Sequence, residues 1–351
     1  MSSINAFGRR QPIFIILLVF LAGIGFWACD AGNDRIREAE INPDQVFIPF
    51  RKGKKWGYSD KNKQMLIRAK YDSATTFKGD LAGVSLNGKQ GYINKQGKEV
   101  VKLKYDYVRE FSEGLAVFKS DGKYGFVDAT GNEVITGRFA DADSFSDGLA
   151  KVSPDGKVWG YIDKNGDEAI PFKYANVVPF SEGFGLVKLN GKSGFIDRTG
   201  KEVIPLKYDW ASSFRDGLAL VEIAEKKWFI DKTGKEVIPL DYLWVDSFYE
   251  GLAKVRLKDK RWGFIDTTGN FAIAPKFTSA ESFSNGFALV SFEGRRFFID
   301  KTGKESAPFK FQEKYRNIVI LTDGLASVTV GDTHFMESFY IDENGTEYYE
   351  P

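Results

Sequence analysis

Three features of the sequence predict an all-β fold built from tandem repeats: a fixed period, a high content of aromatic residues and glycine, and a turn motif that recurs once per period. The 351 residues include 31 Phe, 15 Tyr, 7 Trp and 36 Gly, a composition that favours strands and tight turns. A period of this kind is typical of solenoids, propellers and other repeat arrays. One aromatic position recurs at steps of 34 or 35 residues, and a looser copy follows 42 residues after the eighth: Tyr58, Tyr92, Phe126, Tyr161, Phe195, Phe229, Phe264, Phe298 and Tyr340.

Each repeat carries three strand signals separated by turn signals. An alternating segment such as Trp159–Asp163 is followed by a turn of the form Asp-x-Thr/Asn-Gly, in which Asp caps the turn and Gly adopts the left-handed conformation. A second strand such as Glu202–Ile204 is expected to end at the proline that follows it, since proline has no amide hydrogen. A third strand follows Phe-x-x-Gly, whose Phe is expected in the core at Phe111, Phe145, Phe180, Phe214, Phe248 and Phe283.

The predicted architecture is an open, curved β-solenoid-like array of eight to nine three-stranded antiparallel units. A period of 34 residues is short of the ~40–45 residues of a four-stranded propeller blade, which favours the open array. A closed β-propeller is the alternative, because eight similar units can close into a ring and remove both edges. The repeat domain is predicted over residues 45–351, with a degenerate last copy.

The N-terminal segment, residues 1–29, has the pattern of a secretory signal. Arg9 and Arg10 precede sixteen uncharged, mostly apolar residues from Ile13 to Ala28, too few for the ~20 of a bilayer-spanning helix. Cys29 follows at once, so the segment resembles a bacterial lipoprotein signal, which implies lipidation of Cys29; an uncleaved anchor is the alternative. Residues 30–44 are charged and are expected to be a flexible linker. Both alternatives predict an exported protein tethered to a membrane of the cell envelope, in the periplasm or on the surface.

Charge and composition exclude several classes of function. The net charge is +1 with no basic face, so no nucleic-acid partner is expected. The chain has one cysteine and one histidine, His334, which leaves too few ligands for a Cys/His metal site. No nucleophile–base motif or phosphate-binding loop is present, so we expect neither catalytic residues nor a cofactor.

Two sets of repeated side chains are candidate sites. The turn aspartates are interpreted as structural caps, with a ring of catalytic carboxylates as a distant alternative: Asp128, Asp163, Asp197, Asp231, Asp266 and Asp300. Trp56, Trp159 and Trp262 share one repeat position and are candidates for contact with a partner or a glycan if that position faces outward. Gln90, Ser193, Lys227 and Arg296 occupy the same position in other copies, which favours at least partial exposure.

These motifs resemble WG-containing repeats, a family named for the Trp-Gly pair found here at Trp56-Gly57, Trp159-Gly160 and Trp262-Gly263. Two copies depart from the motif by placing Trp228 or Phe297 where the glycine belongs. The family is widespread in bacteria, and the resemblance implies a repeat scaffold without an attached reaction. The expected function is a non-catalytic, membrane-anchored scaffold that binds an unidentified protein of the envelope or the extracellular space. The alternative is a glycan- or cell-wall-binding module that uses exposed aromatic residues.

Overall fold

The structure of the protein is a computed structural model that describes residues 45–308, 312, 314–315, 317–321, 324–331 and 336–350. The signal segment with Cys29, the linker over residues 30–44 and His334 lie outside the described residues. All regular structure of useful length in the described part is β-strand, arranged as nine sheets that we call blades.

Blades 1 to 5 contain the first nineteen strands, and blade 1 also contains the last strand of the chain. Blade 1 holds β1 (Ile48–Lys52), β2 (Lys55–Ser59) and β3 (Met65–Tyr71); blade 2 holds β4 (Ser73–Ala74), β5 (Leu81–Leu86), β6 (Lys89–Asn94) and β7 (Glu99–Tyr105); blade 3 holds β8 (Tyr107–Val108), β9 (Leu115–Ser120), β10 (Lys123–Asp128) and β11 (Glu133–Phe139); blade 4 holds β12 (Asp141–Ala142), β13 (Ala150–Ser153), β14 (Trp159–Ile162) and β15 (Glu168–Tyr174); blade 5 holds β16 (Asn176–Val177), β17 (Gly185–Leu189), β18 (Lys192–Ile196) and β19 (Glu202–Tyr208).

Blades 6 to 9 follow the same order, and the strand that remains joins blade 1. Blade 6 holds β20 (Trp210–Ala211), β21 (Ala219–Ile223), β22 (Lys226–Ile230) and β23 (Glu236–Pro239); blade 7 holds β24 (Trp244–Val245), β25 (Leu252–Arg256), β26 (Trp262–Asp266) and β27 (Phe271–Phe277); blade 8 holds β28 (Ser279–Ala280), β29 (Phe287–Phe292), β30 (Arg295–Asp300) and β31 (Glu305–Ser306); blade 9 holds β32 (Ile318–Ile320), β33 (Leu325–Gly331) and β34 (Met336–Asp342); β35 (Tyr349–Glu350) completes blade 1.

The nine blades form a closed β-propeller, so the prediction of an open solenoid-like array is wrong. Strand β35, near the C-terminus, pairs in parallel with β1, the first described strand, through Arg51↔Tyr349 and Lys52↔Glu350. The Arg51 and Gly53 amides donate to the carbonyl oxygens of Tyr348 and Glu350 at 3.3 and 2.8 Å. Closure therefore gives β1 a hydrogen-bonded neighbour in place of an unpaired edge.

The prediction of three strands per repeat is also wrong, because most blades contain a fourth strand of two residues. One residue separates it from the outer strand of the preceding blade, as between Tyr105 and Tyr107–Val108, except before Trp244–Val245, where four residues intervene. It pairs with the next strand of its own blade. The predicted strand ends at proline are corrected as well. Strands β15, β19 and β27 continue through Pro171, Pro205 and Pro275, and β23 alone ends at its proline. Proline is tolerated there because the outer strand is an edge, whose free side needs no amide donor.

The hydrophobic core lies between adjacent blades. One cluster joins Leu252, Phe264 and Ile273 of blade 7 to Phe277 at the end of its outer strand and to Val290 of blade 8. The Phe of Phe-x-x-Gly anchors the six junctions between blade 2 and blade 8 and packs on the recurring aromatic of the preceding blade, as Phe145 does on Phe126 with ring centroids 4.9 Å apart. Its predicted core position is confirmed at Phe145, Phe180, Phe214, Phe248 and Phe283, while Phe111 is half-buried. Burial of each ring stabilises its junction by about 1.5–3 kcal/mol.

Closure predicts that Phe50 stabilises the whole ring. Phe50 lies on β1, is 1% exposed, and packs in one cluster with Tyr348 and Leu325 from the last copy. Phe50→Ala should lower the free energy of unfolding by about 3–5 kcal/mol. It should also increase hydrogen exchange at the Gly53 amide, measured by mass spectrometry. Fast exchange at Gly53 in the unmodified protein would contradict closure.

Candidate functional site

The turn aspartates are structural caps that the chain itself satisfies. The Asp128 carboxylate accepts hydrogen bonds from the Thr130 amide and hydroxyl at 2.9 and 2.7 Å and from the Asn132 amide at 2.9 Å. The same pattern recurs at Asp197, Asp231, Asp266 and Asp300. In blade 2 the cap is Asn94, whose side-chain oxygen accepts from the Gln96 and Lys98 amides. Since an amide can replace the carboxylate, the position requires a hydrogen-bond acceptor and does not require a charge.

These caps predict a loss of stability in acid. The Thr130 hydroxyl, opposed by a smaller effect of desolvation and assisted by backbone amides, lowers the pKa of Asp128 to about 2 from an ordinary value of 3.8. The pKa values of Asp197, Asp231, Asp266 and Asp300 are lowered by the corresponding threonines. The folded state binds these protons less readily than the unfolded chain, so the stabilisation is complete above pH 4 and is lost as the pH falls towards 2. Urea unfolding at a series of pH values should show that the free energy of unfolding falls between pH 4 and pH 2.

Substitution of one cap separates the hydrogen bond from the charge. Asp128→Asn should keep most of the free energy of unfolding at neutral pH and reduce its fall between pH 4 and pH 2. Asp128→Ala should lower the free energy of unfolding at neutral pH and in acid, because the hydrogen-bond acceptor is lost. If Asp128→Asn removed a binding or catalytic activity while leaving the unfolding curve unchanged, the structural interpretation of these aspartates would fail.

The three tryptophans of the predicted contact row are half-buried and their rings are already in contact with the protein. The edge of the Trp56 ring meets Tyr340 at 5.9 Å between centroids. The Lys151 ammonium lies 5.0 Å from the Trp159 ring, and Lys254 and Arg256 lie 5.7 and 5.5 Å from the Trp262 ring. A ligand would have to displace a cation to stack on the covered face of Trp159 or Trp262. Their role as contact residues remains a prediction.

The glycine that follows the tryptophan position allows the outer strand of each blade to cross closely over the strand beside it. In blade 5, Ser193 pairs with Tyr208 and Phe195 with Ile204, so the outer strand bulges by two residues opposite Gly194. A Cβ at Gly194 would lie 2.7 Å from the Ile204 carbonyl oxygen, closer than Cβ atoms approach oxygen. The corresponding distances are 2.3–2.8 Å at all six of these bulge glycines: Gly57, Gly91, Gly125, Gly160, Gly194 and Gly263.

Three blades lack a bulge glycine, and in two of them, blades 6 and 8, the outer strand is shortened. The outer strand has seven residues in each of the six blades with the glycine, but four in β23 and two in β31. In blade 6, Trp228 pairs with Pro239 and Phe229 with Ile238, with no bulge between the pairs. A side chain at position 228 has no room beside an outer strand that crosses as closely as in the other blades. The chain therefore leaves the sheet after Pro239.

A cleft of about 550 Å³ opens where the outer strand of blade 6 ends. Trp228, Leu240, Tyr242, Leu243 and Trp244 line it, together with Lys226, Lys227, Glu236 and Asp241. Tyr242 stands where Tyr208 is buried in blade 5, yet it is half-buried and its ring contacts Phe271 of blade 7 at 6.1 Å. Burial raises the pKa of the Tyr242 hydroxyl. We call Trp228, Leu240, Tyr242, Leu243, Trp244 and Phe271 the blade 6 patch.

The blade 6 patch combines exposed apolar surface with a few polar groups. Leu243 is 53% exposed, Trp244 55% and Phe271 46%. The buried indole N–H of Trp228 has no hydrogen-bond acceptor among the described residues. Lys227 lies 5.8 Å from the Trp244 ring and 3.5 Å from the Glu222 carboxylate. Contiguous exposed apolar surface of this kind is typical of an interaction site.

The sequence analysis missed this patch although its signal was present. Trp228 was noted as a departure from the glycine position, but the consequence for the outer strand follows only from the close approach seen in the other blades. Trp244 begins a two-residue strand, as do Trp210 and Tyr107, which are 47% and 42% exposed. The outward aromatic position is therefore the first residue of the short strand.

Neither a metal site nor a membrane span is found in the described part of the chain. No group of three or more His, Cys, Asp or Glu side chains among these residues is arranged to hold a metal ion. The same residues include no helix with the length and apolar character needed to cross a bilayer.

Gly194→Ala tests the steric role of the bulge glycine. The added methyl group should force the outer strand of blade 5 away and lower the free energy of unfolding by about 1–3 kcal/mol. Gly83→Ala is the matched control, because Gly83 also lies in a strand but its Cβ would lie 3.4 Å from the nearest atom, the Thr75 hydroxyl oxygen. Equal effects of the two substitutions in chemical denaturation would contradict the steric explanation.

Comparison with known proteins identifies the repeats. The model of the family described as "WG containing repeat" matches seven segments, at residues 56–89, 91–124, 124–157, 159–192, 194–228, 229–260 and 262–295. No match was found among curated proteins.

One solved structure shares the architecture at low sequence identity, and two others align with lower scores. A structure of the eukaryotic initiation factor is 12% identical with a TM-score of 0.59, and the alignment covers 87% of this chain and 95% of that one. BamB from Moraxella catarrhalis is 13% identical with a TM-score of 0.40, covering 74% and 93%. The WD40 β-propeller domain of Doa1 is 15% identical with a TM-score of 0.32, covering 73% and 96%. The first of these likenesses supports the fold and carries no information about function.

Proposed function

The chain belongs to the WG-containing repeat family, and from this premise we propose that it is a non-catalytic interaction scaffold of the cell envelope. In this proposal residues 1–29 export and tether the protein, with Cys29 as the lipidated residue, and the propeller binds a partner protein. The proposal rests on the blade 6 patch, where a glycine is absent, the outer strand is short, and Leu243 and Trp244 are more than half exposed.

A protein is the occupant favoured by the chemistry of the patch. Tryptophan and tyrosine are the residues most enriched at the centres of protein interfaces, because each combines a large apolar area with a polar atom. Lys226, Lys227, Glu236 and Asp241 surround the aromatic side chains with charge of both signs. A polar rim around an apolar centre is the usual composition of such an interface.

The proposal predicts position-dependent crosslinking in the intact envelope. A photoreactive amino acid in place of Leu243 should capture a discrete protein, and Trp244→Ala should lower that yield by about tenfold or more, as expected for a central interface residue. The matched control is the same photoreactive residue in place of Tyr107, which occupies the position of Trp244 in blade 3. Identical products from the two positions, or none from position 243, would refute the proposed surface.

A glycan ligand is the second candidate, favoured by the indole N–H of Trp228 that lacks an acceptor among the described residues beside two aromatic rings. Binding to a panel of glycans and peptidoglycan fragments tests it directly. If Trp244→Ala removes glycan binding while Trp56→Ala, Trp159→Ala and Trp262→Ala leave it unchanged, the cleft is the glycan site. The reverse pattern would assign the site to the tryptophan row.

A further inference from the structure

Adjacent blades are joined by a repeated polar contact that we call the acidic clasp. Between blades 3 and 4 the Glu113 carboxylate accepts a hydrogen bond from the Gly148 amide at 3.1 Å and pairs with the Lys164 ammonium at 3.3 Å. The corresponding acid, glycine amide and cation meet between blades 4 and 5, between blades 5 and 6, and between blades 7 and 8. Asp147 binds the Gly183 amide and Arg198, Glu182 binds the Gly217 amide and Lys232, and Glu250 binds the Gly286 amide and Lys301.

The clasp offsets a local backbone cost. Glu113, Asp147 and Glu182 have φ values of +51° to +54°, a conformation that residues with a side chain rarely adopt. A charge-assisted hydrogen bond to a backbone amide is among the stronger contacts available near a surface. A serine beside the clasp adds a further bond across the junction, as the Ser112 hydroxyl donates to the Phe145 carbonyl oxygen at 2.7 Å.

The junction between blades 2 and 3 lacks every side chain of this contact. Gly79 occupies the position of the acid, Ala129 the position of the cation and Lys78 the position of the serine. The Gly114 amide, which corresponds to the amides of Gly148 and Gly183, has no acceptor among the described residues. A cavity of about 340 Å³ lies in the vacated space, lined by Thr76, Leu81, Tyr92, Phe111, Gly114 and Ala129.

We propose that this cavity is a binding site for a carboxylate on a short aliphatic stem, which takes the place of the missing clasp acid. The carboxylate accepts from the Gly114 amide as Glu113 does from Gly148, and its stem packs on Leu81, Phe111 and Ala129. The chemistry is that of a glutamate side chain on a partner protein or of a free aliphatic dicarboxylate. This site is independent of the blade 6 patch, so either proposal stands if the other fails.

Lys78 is the positive group positioned to hold the second carboxylate oxygen. It also lines the cavity, where its ammonium group lies 2.6 Å from the Glu110 carboxylate. Both side chains of this pair are more than 60% exposed, so the pair contributes little and Lys78 can change partners at small cost. The other nearby acid, Asp80, has a side chain that is 89% exposed and is paired with Lys95 at 3.3 Å.

The test fills the cavity with the side chains that the other junctions possess. Titration calorimetry on the purified full chain uses glutarate, with neutral glutaramide as the control ligand, and acetyl-Ala-Glu-Ala-amide as the peptide probe. We expect glutarate to bind and glutaramide not to bind. Gly79→Glu should raise the dissociation constant of glutarate by about tenfold or more, the effect of losing one charged hydrogen bond. Ala129→Lys instead restores the cation of the clasp and should strengthen glutarate binding, because its ammonium group can pair with the ligand as Lys164 pairs with Glu113.

The thermal midpoint distinguishes a variant whose cavity is filled from one whose fold is damaged. Gly79→Glu should raise the thermal midpoint, because it rebuilds the bond between acid and glycine amide that is already present between blades 3 and 4. In the Gly79→Glu background, Ser112→Lys, Glu113→Gly and Lys164→Ala together should restore glutarate binding, because they give the next junction the side chains found at positions 78, 79 and 129. Tighter binding of the peptide than of glutarate would identify a protein as the source of the carboxylate, and the reverse would identify a free acid. Absence of glutarate binding, or binding that Gly79→Glu leaves unchanged, overturns the proposal.

Discussion

The close approach of the outer strand to the bulge glycine is the constraint on which the blade depends. With hydrogen as the only side chain, the outer strand crosses within 2.8 Å of where a Cβ would stand, and its last residue reaches the space between blades. That residue is a buried aromatic in six blades: Tyr71, Tyr105, Phe139, Tyr174, Tyr208 and Phe277. The presence or absence of a Cβ atom at this position thus determines whether the outer strand can extend to the junction with the next blade. The blade 6 patch lies where the bulge glycine is absent. Functional sites are expected at positions that depart from the sequence pattern that the rest of the fold follows.

Local features of the fold could be predicted because they depend on neighbouring residues. The hairpin turns, the caps exemplified by Asp128 and the core position of Phe145 each follow from a few residues with a fixed spacing. The two-residue strands could not be predicted, because Tyr107 and Val108 are too short a segment to show alternation. Closure could not be predicted either. It depends on pairing between Arg51 and Tyr349, which the repeat period alone does not specify.

The candidate sites were predictable to different degrees for a related reason. Aromatic residues at a repeat position indicated a surface for contact, but the cations beside Trp159 and Trp262 come from a neighbouring strand and depend on the register. Trp228 and Gly79, in contrast, do not indicate a site by their own residue type. Each stands out only when it is compared with the same position in other blades, and its structural effect depends on what the usual residue contacts. Repeats therefore supply an internal reference within a single chain, provided that the structure shows what the usual residue does.

The hybrid composition of blade 1 has a consequence for biogenesis. Its sheet joins strands from both ends of the repeat domain, so β1 has no partner on one side until the ribosome has released almost the entire polypeptide. During that interval an unsatisfied strand edge is available to other nascent chains. A product truncated before Tyr349 would leave that edge of β1 permanently without its hydrogen-bonded neighbour.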